Sequence, residues 1–348
     1  MKLPEFFGLD IGNHTIKVCE TRWEGDTPVL VALGSYETPF GVIGSENTEH
    51  KRQLAENIKK AVAASGIKTK NAVVALPEGA IFTRLVPGFP KVSDDKLAEA
   101  ILYEAKKYIP IPPEETNIDH MVVGERTQDG KVLIDVLIVA APKSLVERYM
   151  EILKLSGLEG LALETEAIAT TRSISSQKNF DKTKAAIVLD FGANGTDLSV
   201  IKGESLLFSQ SLGTGSDAFT RAIAVDFGLT TPQAEQYKRV YGLDETKAEG
   251  KIAKSLYPII QIIAIEITKT MDFFKTRFVN MVPQKIYIVG DGGKLPGLAA
   301  YLSKIYNIDC ELAKPFQDFK IDEKLKKDMA QLSDVGFTVA TGLALKKE

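Results

Sequence analysis

The sequence predicts an α/β protein of two related lobes, with a small α+β module inserted into the first. Three observations carry that expectation. An apolar run that exits on an aspartate and turns on a glycine two places later occurs twice, in FFGLDIGNHTIKVCE (6–20) and in IVLDFGANGTDLSV (187–200). The first copy opens a β-β-β-α-β order, which is half of a two-lobed α/β fold. Between the copies, residues 84–160 carry a strand-helix-strand-strand-helix-strand pattern of their own.

The elements follow in order. Strands are expected at 6–11, 15–22 and 29–36, a helix near 50–65, and a strand at NAVVALP (71–77). Gly12-Asn13 tolerates the positive φ of a tight turn, so the first two strands read as a hairpin. IFTRLVPGF (81–89) is a strand, and SDDKLAEAILYEAKKY is a helix with Ser93 as N-cap and early acids. The prolines of IPIPPEE stop that helix. Strands at 118–125 and VLIDVLIVAAP (132–142), a helix at 143–156 and a strand near 160 complete the module. ETEAIATTRSI (164–174) is a short helix before the second hairpin. SLLFSQSL (205–212) is a third strand, helices occupy 231–241 and 251–279, and KIYIVG (285–290) is a strand. Pro296 is expected in the first turn of the next helix, and VGFTVATGLAL closes the chain as a helix.

The 348 residues suffice for two lobes with a substantial core. With 44% hydrophobic and 26% charged residues, global disorder is excluded. The net charge of −3, with scattered basic residues, gives no electrostatic footprint for nucleic acid. Cys19 and Cys310 lie in apolar strand-like runs without metal spacing, the pattern of buried free thiols in a reducing cytosol. Met1 leads almost directly into the first strand, which predicts no signal peptide. The most apolar helix, YPIIQIIAIEITKTMDFF, is interrupted by Gln261, Glu266 and Lys269, so a membrane role is expected to come through a partner. GxxxxGK[ST], HExxH and GxSxG do not occur.

The chemistry rests on the repeated aspartates. Asp, Gly and Asn are ordinary turn residues, but two such turns facing one another can cradle phosphates with backbone N–H groups. The aspartates would then hold a magnesium ion, mostly through its waters. IYIVGDGGKLPGL ends a strand in Gly290, Gly292 and Gly293, where a flat ligand or a phosphate can approach the backbone; the plain alternative is a strand-to-helix turn. LGTGSDAF formally satisfies GxGxxA, yet a further helix follows where a dinucleotide fold needs a parallel strand. Glu235 and Lys238 share a helical face, as a solvated charge pair or as partners of a ribose and base.

In that order the pieces resemble the actin-like ATPase superfamily. GLDIGNHTIKV and VLDFGANGTDLSVI resemble its two phosphate loops, ETEAIATT and FTVATGLAL its two connecting helices, and IVGDGGKLPGL its adenosine loop. Within it, EAKKYIPIPPEETNIDHMVV resembles the insert of the type IV pilus assembly PilM family, related to FtsA; FtsA-like chains run on to a membrane-binding helix, whereas this one stops at LALKKE. The resemblance implies a first lobe of 1–83 completed by 164–183 and 333–348, and an SHS2-like insert at 84–163. It implies a second lobe of 184–228 and 280–332 and a helical subdomain at 229–279.

The resemblance also implies ATP or ADP with Mg2+. Asp10 and Asp190 would flank the metal. Gly12, Asn13, Thr15 and Lys17 would meet the phosphates from one lobe, and Gly192, Asn194 and Thr196 from the other. Gly215 would pass close to the nucleotide, Glu235 and Lys238 would hold the ribose, and Gly290, Gly292 and Gly293 would face the adenine. Glu166 would orient a water, with at most slow ATPase activity expected. Asn13 replaces a hydroxyl residue common in relatives, which bears on γ-phosphate sensing. The implied partners are the N-terminal cytoplasmic peptide of PilN, in the groove between insert and first lobe, and other pilus platform proteins and assembly ATPases. A homo-oligomer is compatible with the resemblance, which places the chain in the cytoplasm, peripheral to the inner membrane. The alternatives are a filament-forming ATPase like FtsA or MreB, and a sugar or acetate kinase, for which neither a substrate-cleft base nor large substrate insertions appear.

Overall fold

The computed structural model describes residues 3–277, 281–329, 332 and 334–347. It opens with β1 (Phe7–Ile11), β2 (Thr15–Glu24) and β3 (Thr27–Glu37), then α1 (Thr48–Ser65) and β4 (Asn71–Leu76). Asn47 caps α1 by accepting from Glu49 N–H at 2.8 Å, and Gly66 ends it in the left-handed region.

The inserted segment comprises β5 (Phe82–Pro90), α2 (Asp94–Ala105), β6 (Thr116–Gln128) and β7 (Lys131–Pro142). They form a three-stranded sheet in the order β5-β7-β6, with Leu97 and Ile101 of α2 buried against Val136 and Ile138. Ser93 stands at the N-cap but makes no capping bond, and the helix ends at Ala105, three residues short of expectation. Ahead of Pro110 the chain tightens into turns, with Lys107 and Tyr108 N–H groups donating three residues back.

α3 (Lys143–Ser156), β8 (Glu159–Thr165) and α4 (Glu166–Ser175) follow. Here the structure corrects the expected module. β8 hydrogen-bonds in parallel to β4, and Leu145, Tyr149, Ile152 and Leu153 of α3 share a core with Leu9, Val18 and Ile58. The amphipathic face of α3 and the open edge of β4 satisfy one another, so this helix and strand join the first sheet rather than the insert.

The second half contains β9 (Ala185–Phe191), β10 (Thr196–Lys202), β11 (Ser205–Leu212), α5 (Ser216–Phe227), α6 (Thr231–Tyr241) and α7 (Lys251–Arg277). Then come β12 (Lys285–Val289), α8 (Leu298–Tyr306), β13 (Asp309–Leu312), α9 (Glu323–Met329) and α10 (Thr338–Ala344). Residues 278 and 279 of the helix expected at 251–279 lie outside the described residues. Ile260, Ile263, Ile267 and Phe274 put one face of α7 into the core with Ile187, Leu189 and Leu198. Pro296 lies ahead of α8 rather than in its first turn, because Gly297 takes the left-handed cap position and the Pro296 carbonyl accepts from Leu243 N–H at 2.7 Å.

The two large sheets repeat one topology. The first runs β3-β2-β1-β4-β8 and the second β11-β10-β9-β12-β13, each an antiparallel three-stranded meander continued by two parallel strands. Behind them α4 and α10 cross so closely that a Cβ on Gly342 would lie 1.8 Å from the Ala169 carbonyl oxygen. Arg172 secures the crossing, donating to Glu164 at 2.8 and 3.0 Å and to the Gly342 carbonyl at 2.7 Å.

Candidate functional site

The β1–β2 and β9–β10 turns have the same geometry. Gly12 N–H donates to the Thr15 carbonyl at 3.1 Å, and Gly192 N–H to the Gly195 carbonyl at 2.9 Å. Asn13 and Asn194 stand exposed near the tips. Across each hairpin the aspartate faces the residue seven places on: Asp10 opposes Lys17, and Asp190 opposes Asp197. A cross-strand acid and base attract, whereas two acids directly opposite repel.

The structure brings these groups together. Asp10, Lys17 and Glu78 are buried. Burial pushes Asp10 up to about 6, partly offset by Lys17, and Asp190 up to about 8, with Asp197 and Asp10 adding repulsion. Glu166 is raised well above the usual carboxylate range by burial and then by Asp197, Asp10 and Asp190. Burial works against the Lys17 charge, but Asp10 and Asp291 outweigh it and raise its pKa. Lys17 Nζ lies 2.7 Å from Asp291, joining the lobes, and His14 meets Asp217 at 3.1 Å. The Thr170 hydroxyl, in a small cavity lined also by Glu166, Asp190, Asp197 and Ser199, is buried without a hydrogen-bond partner among the described residues.

An excess of carboxyls over Lys17 and an orphaned hydroxyl fit a bound cation. Among the described residues no three acids, histidines or cysteines are grouped to ligate one ion directly. Asp10 and Asp190 therefore fit a role through the ion's waters.

Other expected residues have different occupations. The Thr196 hydroxyl is fully buried and donates to the Thr214 carbonyl at 2.7 Å, closing the 213–215 loop. A Cβ on Gly215 would lie 2.5 Å from the Ala193 carbonyl oxygen, and one on Gly290, at φ +78°, 2.4 Å from Asp190 Oδ1. Gly292 packs likewise on the Phe191 carbonyl, and Gly293 on Ile288. These glycines are required by the protein's own packing against the second hairpin and β12. Lys238 is buried and donates to Ser216 Oγ at 2.6 Å and Thr220 Oγ1 at 2.9 Å, with Glu235 at 2.7 Å. The pair is thus an internal network at the start of α5, not a solvated surface pair.

Sequence reasoning missed Asp197, Glu78, Asp291 and the His14–Asp217 contact. Asp197 was findable, since the hairpin register that pairs Asp10 with Lys17 pairs Asp190 with Asp197. Glu78 carried no local signal.

Two duplicated five-stranded lobes, crossed connecting helices and facing acidic hairpins define an actin-like ATPase fold. Residues 8–348 match the family described as type IV pilus assembly protein PilM, and the chain belongs to that family. A solved PilM–PilN type IV pilus biogenesis complex is 29% identical, with 98% of each chain covered and a TM-score of 0.85. The cell division protein FtsA of Enterococcus faecalis is 20% identical over 90% of this chain and 79% of its own. MreB5 of Spiroplasma citri bound to ADP shares the fold at 14% identity, covering 97% and 94% of the chains with a TM-score of 0.51.

Proposed function

We propose that this protein binds magnesium ATP between the two hairpins and acts as a nucleotide-holding component of the type IV pilus assembly platform. The convergence of Asp10, Lys17, Asp190 and Asp197 on one cluster carries the reading. Asp10 and Asp190 would hold the magnesium ion, which supplies charge neutralisation for the phosphates. The turns at Gly12–Thr15 and Gly192–Gly195 would offer backbone N–H groups, and Lys17 would exchange Asp291 for phosphate oxygen. An ADP complex of a protein with the same fold supports the ligand class.

The reading includes slow turnover. Glu166 Oε2 accepts from Glu78 N–H at 3.1 Å, and burial, with Asp197, Asp10 and Asp190 nearby, works against the charged form that a water-orienting base needs. Steady-state phosphate release is expected below the common enzyme range of about 1 to 1,000 per second; release within that range would remove this part of the reading. Asp10→Asn keeps the size and removes the charge. It is expected to weaken magnesium-dependent ATP binding about tenfold or more, about 1.4 kcal/mol, by calorimetry, and unchanged affinity would return Asp10 to turn chemistry.

Membrane attachment through a PilN-like N-terminal cytoplasmic peptide, seated between the insert and the first lobe, completes the proposal. Among the described residues no helix is long and apolar enough to cross a membrane, and the PilM–PilN complex matches at full length. An immobilised peptide of this kind should retain the protein; no retention with or without ATP would refute the attachment.

A further inference from the structure

We infer that Glu78 is a positioning residue that couples the nucleotide cleft to the inserted module, through a chain of hydrogen bonds running Glu166–Glu78–Ser209–Thr83. The inference rests on the nucleotide reading above. Glu78 opens a single 3-10 turn, Glu78–Ala80, between the end of β4 and the start of β5. It is only 3% exposed.

Its bonds run in three directions. Its backbone N–H donates to Glu166 Oε2 at 3.1 Å, and its Oε2 accepts from Ala167 N–H at 3.3 Å. One residue therefore bonds the first turn of α4 both ways. Its other carboxyl oxygen accepts from the Ser209 hydroxyl of β11, in the second lobe. Ser209 Oγ also lies 2.8 Å from Thr83 Oγ1, and the Thr83 hydroxyl reaches the Ser209 carbonyl at 3.4 Å. Thr83 belongs to β5 and pairs with Val139 of β7, so it is part of the insert's own sheet.

A second route reaches the same serine. Ser209 pairs with Ser199 of β10, and Ser199 lines the small cavity with Asp190, Asp197 and Glu166. A shift of the second hairpin and a shift of Glu166 thus both arrive at Ser209. From there hydrogen bonds reach the insert through Thr83 and through the Glu78 turn, beside the apolar packing of Leu85 and Val123 on the second-lobe core. A buried carboxyl among neutral donors, with Asp197 as the charged group acting on it, is a costly joint between two lobes. What it provides over an apolar residue is simultaneous attachment to α4 and β11.

Amide hydrogen exchange on the full chain, with and without magnesium ATP, tests the coupling in wild type, Thr83→Val and Ser209→Ala. In all three, ATP is expected to slow exchange across residues 10–17 and 190–197. Only in wild type should ATP also change exchange across residues 82–90; the variants should lose that change, and Ser209→Thr should restore it. An ATP effect at 82–90 that persists in both variants, or is missing from wild type whose hairpins are protected, would overturn the inference. No protection of the wild-type hairpins would instead refute the nucleotide reading, and the inference with it. Should Ser209→Ala exchange faster throughout without ATP, the half-buried Thr83→Val carries the test.

Discussion

The two hairpins share a turn, a register and a leading aspartate, yet differ in charge at one equivalent position. The first places Lys17 opposite Asp10; the second places Asp197 opposite Asp190. The first lobe thus brings its own counter-charge, whereas the second brings a like-charged pair that must share protons or accept a cation. Burial raises both aspartates, and the neighbours separate them: Asp10, beside Lys17, rises to about 6, and Asp190, beside Asp197, to about 8. A duplicated backbone has been given asymmetric electrostatics, and the asymmetry leaves room for a positive guest on the side of the second lobe.

The largest test removes the counter-charge. Lys17→Met removes the positive charge opposite buried Asp10, and is expected to cost about 3 kcal/mol, read from urea denaturation at pH 7 without nucleotide. An unchanged midpoint would mean that the first hairpin is no better compensated than the second. Next comes Glu78, which burial raises from 4.5 to about 7, with repulsion from Asp197 contributing. A carboxyl raised by folding stabilises the protein below its unfolded pKa, and that contribution is lost as pH rises through its folded value. Stability should therefore fall between about pH 4.5 and 7, by about 3 kcal/mol from this group, and Glu78→Gln should flatten the slope. The smallest effect is the most specific: Asp197→Asn relieves the like-charge pair and should stabilise the nucleotide-free protein by about 0.5–1 kcal/mol, raising its melting temperature. A fall would show that Asp197 is already compensated.

Much of the architecture was legible along the chain. Alternating apolar strands, turn residues at Gly12 and Gly192, and the periodic face of α7 are local signals, and the second hairpin repeats the first within a stretch of 14 residues (187–200). The site was half legible. Asp10, Lys17, Asp190 and Glu166 lie in one cluster, Thr196 closes a loop, and Gly215 and Gly290 stand where the backbone approaches closely. Glu235 and Lys238 are held by Ser216 and Thr220.

By itself the sequence determined the elements, their order and the doubling of the lobe, because strand periodicity and turn chemistry act over a few residues. Tertiary structure alone decided that β8 closes the first sheet, that Lys17 reaches Asp291, and that Glu78 meets Ser209 across 131 positions of chain. Such partners are selected by which buried polar groups have no water to turn to, and burial exists only once the lobes have packed.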